Sequence, residues 1–293
     1  MRRGAPQTVA AGPDRPARGT CRFPAHAWRQ GATVAPVEVT ERFADLVSQP
    51  DFPLDEAALL IAVHADPGCD VAANLARLDE LARSVPEPTL PALTTSLFGR
   101  WGFVGDQVDY YDPRNSYLHE VLERRRGIPI TLSVALIEVG RRAGVPLAGV
   151  GTPAHFMTCT TTGTRRWVDA FAGGRILDRD ELDDQFSRLA PGIDLDAYLD
   201  PVPPRAIVAR MLGNLVAIHR QRNDRTALLW ASRLRTLVPG STPDDRRAYG
   251  GALAACGDFV RAAKVLESLV EEGHTSDPDD ELAKARRLRA RLN

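Results

Sequence analysis

The sequence has little cysteine, no long apolar run and no excess of charge of either sign. Its four cysteines, Cys21, Cys69, Cys159 and Cys256, are too scattered for a zinc site or a disulfide framework. No apolar stretch approaches the roughly 20 residues that a membrane-spanning helix needs. The chain has 37 lysines and arginines against 38 acidic residues. Bulk charge therefore gives no reason to expect nucleic acid or a membrane as a partner, and we expect a protein of the reducing cytoplasm.

Motifs that hold metals and cofactors are missing too. The histidines form no HExxH pattern, and the chain has neither a P-loop nor a GxGxxG between a strand and a helix. We therefore predict no metal and no cofactor. Residues 1–36 are rich in Gly, Pro, Ala and Arg and lack periodicity, which predicts a disordered N-terminal arm or a start site assigned too far upstream.

The most regular apolar segment runs from Gly127 to Pro146. Its apolar residues recur at helical spacing between Leu132 and Ala143, which predicts a helix with a face in the core. Pro129 suits the first helical turn, and Gly144 with the following proline predicts the end of the helix.

Three short segments after this helix have the composition of strands. They read LAGVG (147–151), HFMTCT (155–160) and RRWVDAF (165–171), and a short RIL strand and an acidic helix near Asp180 follow. On such a strand His155 shares a face with Met157 and Cys159, because side chains alternate between the two faces. The pattern predicts an α+β core in which a buried helix packs on a small sheet.

Helical patterns flank this core on both sides. The pattern from Val37 to about Arg100 predicts an N-terminal helical lobe whose first helix starts at a Thr40 cap. A later helix, YLHEVLERR, is predicted to start at a cap on Asn115 or Ser116. The prolines between 201 and 204 predict a stiff linker. The predicted units are residues 1–36 (disordered arm), 37–200 (core with its N-terminal helices) and 201–293 (C-terminal helices).

The C-terminal helices carry a weak internal repeat. Ala227 lies twelve residues before Pro239, and the small residues Gly250 and Ala262 have the same separation. Small residues at that spacing are typical of tetratricopeptide-like helical hairpins, in which paired helices approach closely. Because two units are too few for a free-standing array, we expect them to pack on the core.

The order of the core segments resembles the papain-like transglutaminase core. In that family a helix starts at a Gly-x-Cys nucleophile and ends in an Arg-x-x-Gly-x-Pro turn, and two following strands carry a His and an Asp. Arg141, Gly144 and Pro146 match the turn, while His155 and Asp169 match the catalytic pair. The resemblance implies that Asp169 orients the imidazole of His155.

The departure from that family falls on the nucleophile. The cysteine position is occupied by Pro129, which has no nucleophilic atom, so thiol catalysis there is excluded. The run from Asn115 to Met157 also resembles the SirB-type bacterial family. That narrower resemblance implies a transglutaminase-like core without its cysteine, followed by tetratricopeptide repeats.

Ser133 is the best remaining nucleophile candidate. It lies one helical turn after Pro129 on the same face, so a set is conceivable in which Ser133 attacks, His155 acts as the base and Asp169 orients it. The alternative is a small residue whose hydroxyl bonds back to the carbonyl of Pro129. Thr131 and Cys159 are weaker candidates, the latter as a thiol that can face His155.

The leading hypothesis is a catalytically degenerate protein that binds a peptide or protein partner through Asn115, Arg126, Pro129 and His155. Arg126 belongs to a basic cluster that either complements a helix dipole or recognises an acidic group. The rival is an amide-bond hydrolase or acyltransferase that uses Ser133, His155 and Asp169. A third possibility is a core that serves only as a platform for the helices. The sequence leaves the oligomeric state open.

Overall fold

The computed structural model describes residues 36–152 and 155–291, so the predicted N-terminal arm lies outside them apart from Pro36. The N-terminal helices are α1 (Pro36–Ser48), α2 (Leu54–Ala65), α3 (Val71–Arg83) and α4 (Leu90–Thr94), and a π-helical turn (Thr95–Arg100) follows α4. The predicted Thr40 cap is wrong, because α1 begins upstream of it and the buried hydroxyl of Thr40 lies 3.0 Å from Nε2 of His64.

The middle of the chain contains a 3-10 turn (Pro113–Ser116), α5 (Leu118–Arg124) and the central helix α6 (Pro129–Ala143). The bounds of α6 are those predicted: Pro129 is its first residue, and Gly144 caps it with a positive φ of 80° that glycine adopts readily. Helices α2, α3 and α5 pack against it. The predicted cap of α5 is wrong, since Tyr117 holds that position without a side-chain cap.

Two sheets accompany these helices in the described part of the chain. A short parallel pair joins β1 (Val104–Gly105) and β2 (Arg126–Gly127). The main sheet is antiparallel in the order β6-β5-β4-β3-β7. Its strands are β3 (Leu147–Val150), β4 (Met157–Thr160), β5 (Trp167–Asp169), β6 (Arg175–Leu177) and β7 (Pro201–Val202).

The sheet confirms the predicted strands with two differences. His155 precedes β4 instead of lying within it, so its side chain does not follow the alternation of the strand. Pro201 and Val202 pair with β3, so the start of the predicted linker is an edge strand of the core sheet. Helix α6 packs against β3 and β4, and apolar side chains of α7 (Arg179–Leu189) pack against others from the sheet.

Five helices complete the described chain. They are α8 (Pro204–Gln221), α9 (Arg225–Leu237), α10 (Pro243–Ala255), α11 (Phe259–Glu271) and α12 (Pro278–Ala290), and each packs on the next. Buried residues of α8 and α9 belong to the same apolar core as α6. The assignment of these helices to tetratricopeptide hairpins stays a prediction. None of the helices in the described part of the chain combines the length and apolar character that crossing a bilayer requires.

A histidine cluster joins the N-terminal helices to α8 and α9. The rings of His64, Tyr117 and His219 lie 5.7, 6.4 and 5.8 Å from the ring of Trp230, and the Tyr117 hydroxyl lies 3.0 Å from Nε2 of His219. His119 is buried beside Tyr117, and neither of its ring nitrogens has a hydrogen-bond partner among the described residues.

Burial lowers the pKa of all three histidines of this cluster, which keeps them neutral. For His119 the nearby carboxylates of Asp66, Glu120 and Glu123 oppose that effect without reversing it. For His64 the carbonyl of Leu60 opposes it, and for His219 the carboxylate of Asp224 does. The junction between the two helical regions is therefore built from imidazoles that resist protonation.

This junction predicts a loss of stability in mild acid. The unfolded chain binds protons near the ordinary histidine pKa of about 6.5, whereas the folded chain excludes them, so stability is full above that pH and falls below it. Each such histidine adds a slope of up to about 1.4 kcal/mol per pH unit. We expect urea unfolding to show a lower free energy at pH 5.5 than at pH 7.5.

The substitution His119→Leu should reduce this pH dependence, because it removes one of the excluded protons. His274→Leu is the matched control: His274 is exposed and lies outside the cluster, so the variant should keep the wild-type slope. Equal slopes for both variants would contradict the assignment.

Candidate functional site

A cavity of about 200 Å³ opens where the N-terminus of α6, the loop before β4 and helix α8 meet. Its lining consists of Tyr110, Ile128, Pro129, Ile130, His155, Phe156, Arg210 and Asn214. Two of the sequence-predicted site residues, Pro129 and His155, are thus brought to one cavity. No cysteine, serine or threonine is among these described lining residues.

The predicted pair of His155 and Asp169 is formed. Nε2 of His155 lies 2.9 Å from Oδ2 of Asp169, although the ring N–H departs from the direct line to that oxygen. Nδ1 of the ring has no hydrogen-bond partner among the described residues. The carboxylate therefore holds one edge of the imidazole and leaves the other nitrogen available at the cavity.

Asp169 ends β5 and is buried. Its Oδ1 accepts the backbone N–H of Ala172 at 3.0 Å, and its Oδ2 accepts Nε2 of Gln185 at 3.2 Å. Burial alone raises the pKa of Asp169, but the adjacent imidazole of His155 and these two donors outweigh burial and hold the pKa below its ordinary value. The residue is a fixed carboxylate at neutral pH.

Pro129 lies in the cavity wall, at the position where the resemblance to transglutaminases implies a thiol. Its N-cap, Ile128, is extended and provides no side-chain cap. The first N–H groups of a helix have no intrahelical acceptor, so the open N-terminus of α6 gives the cavity a partial positive charge. The electrostatic environment for an activated nucleophile is present, while the residue itself has no nucleophilic atom.

Ser133 does not line the cavity. It is fully buried one turn deeper in α6, and its hydroxyl bonds neither to His155 nor to the carbonyl of Pro129. Its role as a nucleophile stays a prediction. The same holds for Thr131, which is also buried with an unpartnered hydroxyl. Cys159 packs with apolar residues of β5, β6 and α7, and burial raises the pKa of its thiol.

Asn115 and Arg126, proposed from the sequence as binding residues, lie elsewhere. Asn115 is buried: its Nδ2 donates to the carbonyl of Asp109 at 2.8 Å, and its Oδ1 accepts Nη1 of Arg124 at 3.3 Å. These bonds brace the segment that ends in Tyr110, a cavity residue. Arg126 is exposed on β2 and is not part of the lining.

Arg210 of α8 is the main site residue that sequence reasoning missed. Its Nη2 donates to the carbonyl of His155 at 2.7 Å and approaches that of Thr152 at 3.4 Å, and its guanidinium lies 5.3 Å from the centre of the Phe156 ring. It therefore fixes the loop that carries His155. One available signal is that Arg210 and Asn214 are four residues apart, which puts two polar residues on one face of α8.

Two glycines make room for the aromatic residues of the site. A Cβ at Gly149 would lie 2.7 Å from the ring of Phe156, and one at Gly105 would lie 2.5 Å from the ring of Phe171. Phe171 in turn meets Tyr110 edge-on at 5.8 Å. The glycines of β3 and β1 therefore set the positions of Phe156 and Tyr110 at the cavity.

Comparison with known proteins agrees with this geometry. A family model described as the transglutaminase-like superfamily matches residues 70–213, which include the cavity residues from Tyr110 to Arg210. A UPF0162 protein of Xylella fastidiosa (strain 9a5c) is 38% identical over 233 residues, which cover 72% of this chain and 80% of that protein. The chain belongs to the UPF0162 family of transglutaminase-like proteins.

Two further matches are weaker. F-box only protein 21 of Mus musculus is 31% identical over 141 residues, which make up 45% of this chain and 22% of that protein. A solved structure of menin aligns with this chain over 86% of this chain and 70% of the menin chain. The TM-score is 0.41 and the sequence identity is 11%, so this likeness supports no functional inference. Nowhere in residues 36–152 and 155–291 do three or more His, Cys, Asp or Glu side chains group so as to hold a metal ion.

The family geometry predicts that a cysteine introduced in place of Pro129 would be activated. In Pro129→Cys the new thiol stands at the N-terminus of α6 beside His155, and both features lower a thiol pKa. Each unit of lowering raises the thiolate fraction about tenfold at pH 6. We expect iodoacetamide to alkylate the introduced thiol at least tenfold faster than the exposed Cys256, with mass spectrometry of the two peptides as the measurement.

The control is the double variant Pro129→Cys with His155→Ala, which retains the helix terminus and loses the imidazole. Alkylation of the introduced thiol should slow substantially in it. If the rate at that thiol is the same with and without His155, the imidazole does not reach the nucleophile position.

Proposed function

We propose that the chain is a catalytically degenerate transglutaminase-like protein that binds a peptide or protein partner in the cavity beside His155. The observation that supports this most directly is that Pro129 stands in the wall of a cavity whose His155 and Asp169 remain paired. A site that keeps its base and orienting carboxylate but has no nucleophile can hold an amide-containing chain without cleaving it.

The surroundings of the cavity favour a peptide over a compact cofactor. Tyr110 and Tyr111 are 38% and 59% exposed, and Val108 is 92% exposed, so the segment beside the cavity presents an apolar and aromatic surface. Aromatic side chains at a cavity rim are typical of peptide and protein interfaces.

The C-terminal helices supply a second concave surface. We interpret them as tetratricopeptide-like hairpins of the SirB type, which would extend the binding surface beyond the core. Their concavity of about 480 Å³ is lined by Arg220, Leu228, Asp244, Arg247, Ala248, Gly251 and Ala252. Its mixed apolar and charged lining suits an extended peptide segment.

The rival proposal is an amide-bond hydrolase or acyltransferase that uses Ser133 with His155 and Asp169. The short contact between His155 and Asp169 favours it. The burial of Ser133, whose hydroxyl makes no bond to His155, argues against it in the conformation described.

Peptide selection tests the proposal directly. We expect a random peptide library displayed on phage to yield ligands of the full chain, and Asn214→Trp to weaken their binding at least tenfold, because the indole fills the cavity. Gly213→Trp is the matched control: it adds the same ring to the exposed face of the same helix, where a Cβ meets nothing within 4 Å.

Two results would reverse this proposal. One is a selection whose peptides bind wild type and Asn214→Trp equally, which would remove the cavity from the function. The other is labelling of Ser133 by a fluorophosphonate in the folded chain, lost in His155→Ala, which would favour the hydrolase.

A further inference from the structure

Arg210 is the only permanently charged side chain among the described residues that line the His155 cavity. No aspartate or glutamate belongs to that lining, and no carboxylate of the described residues lies within ion-pair distance of the Arg210 guanidinium. By contrast, Arg142, a half-buried arginine of α6, is surrounded by Asp55, Asp79 and Glu138. The positive charge at the cavity therefore has no counter-charge from the described protein.

The guanidinium of Arg210 is held in one orientation, and some of its N–H donors have no hydrogen-bond partner among the described residues. Its Nη2 is directed at the carbonyls of His155 and Thr152, and the ring of Phe156 packs beside its plane. Its Nε and Nη1 atoms have no hydrogen-bond partner among the described residues. Burial lowers the pKa of Arg210, and only the nearby Tyr110 opposes that effect. An anion bound in the cavity would offset the free-energy cost of burying the charge of Arg210.

Other donors surround the same space. The hydroxyl of Tyr110 and the amide of Asn214 belong to lining residues and have no hydrogen-bond partner among the residues the structure describes. The open N-terminus of α6 adds its partial positive charge. An acceptor placed between these groups would meet donors on several sides.

The size and charge of the cavity narrow the choice of anion. Its volume of about 200 Å³ is several times the roughly 30 Å³ share of one water molecule, so it holds a small acidic group and not a nucleotide. A single guanidinium balances the one charge of a carboxylate, whereas a phosphate group carries about −1.5 to −2 at neutral pH. A planar carboxylate also matches the fork of N–H donors on arginine.

We propose that the His155 cavity is a carboxylate-binding site in which Arg210 pairs with an acidic group of the bound ligand. The inference rests on the proposed function, since it assigns the chemistry of the peptide partner: either its C-terminal carboxylate or an internal acidic side chain enters the cavity. Asn214 and Tyr110 donate to the second carboxylate oxygen.

Small peptide probes test this without knowledge of the partner. The four probes are N-acetyl-Ala-Ala as the acid, the same dipeptide as the amide, N-acetyl-Glu-amide and N-acetyl-Gln-amide. Each is titrated into the full chain labelled with ¹⁵N, with the Nε–H resonance of Arg210 as the readout in the wild type and the side-chain amide resonance of Asn214, another lining residue, as the readout in every variant. We expect an acid to bind roughly 10- to 100-fold tighter than its uncharged counterpart, and the acid that does so identifies the source of the carboxylate.

Two variants on one helix separate pairing from general electrostatics. Arg210→Gln should abolish the preference for the acid. Arg205→Gln, which removes the same charge from an exposed position of α8, should leave it unchanged. Because Arg210 also holds the loop of His155, Arg210→Lys serves as a second variant. It keeps the positive charge but loses the paired N–H donors of the guanidinium, and it should weaken the binding of the acid probe at least tenfold.

The outcomes distinguish this inference from the proposed function. Equal binding of acids and amides, or no binding of any probe, overturns the carboxylate site. Inorganic phosphate that binds as tightly as the acids makes it a general anion site and also overturns it. If the selected peptides ignore the cavity while the acids still shift Arg210, the peptide function fails and a small-acid site remains.

Discussion

From Pro129 to Gly140, α6 has no exposed residue, so burying it is costly unless the polar groups at its two ends find partners. At the C-terminal end the buried Glu138 bonds to Arg141 and Arg142. Burial, and repulsion from Asp55, still raise the pKa of Glu138 above its ordinary value, and the two arginines only partly offset this. That end of the helix is closed by an ion network. Among the described residues, the N-terminal end of α6 has no comparable ion-pair network, and the cavity lies at that end.

The cavity is shared by the core and the C-terminal helices. Arg210 of α8 binds the carbonyl of His155, and buried residues of α8 continue the core around α6. The family match likewise runs to residue 213, beyond the boundary predicted at residue 200. The position of His155 therefore depends on α8, a helix that the sequence predicts as part of a separate unit. That dependence gives the C-terminal helices a direct physical connection to the site.

The sequence predicts the local features of this arrangement well. Pro129 and Gly144 define the ends of α6, and the resemblance identifies His155 and Asp169 as a pair. Sequence analysis fails to predict contacts between residues that are far apart in the chain. Arg210 lies 55 residues from His155, and its spacing to Asn214 indicates a polar face of α8 without identifying His155 as its partner. The predicted helix caps are wrong because the side chain of Thr40 contacts His64 and that of Asn115 donates to the carbonyl of Asp109.

Pro129, which stands where the resemblance implies a nucleophile, and Arg210, which has no ion-pair partner among the described residues, line the same cavity. Taking a charge out of water is costly unless a partner repays it, and Arg124 and Arg142 of this chain lie close to buried aspartates. Arg210 has none among the described residues, yet Phe156 and two carbonyls hold it in place. In an enzyme that releases its product, such a charge would favour retention of an acid. In the binding protein that we propose, retention of an acid is the function, and Pro129 and Arg210 are consistent with that proposal.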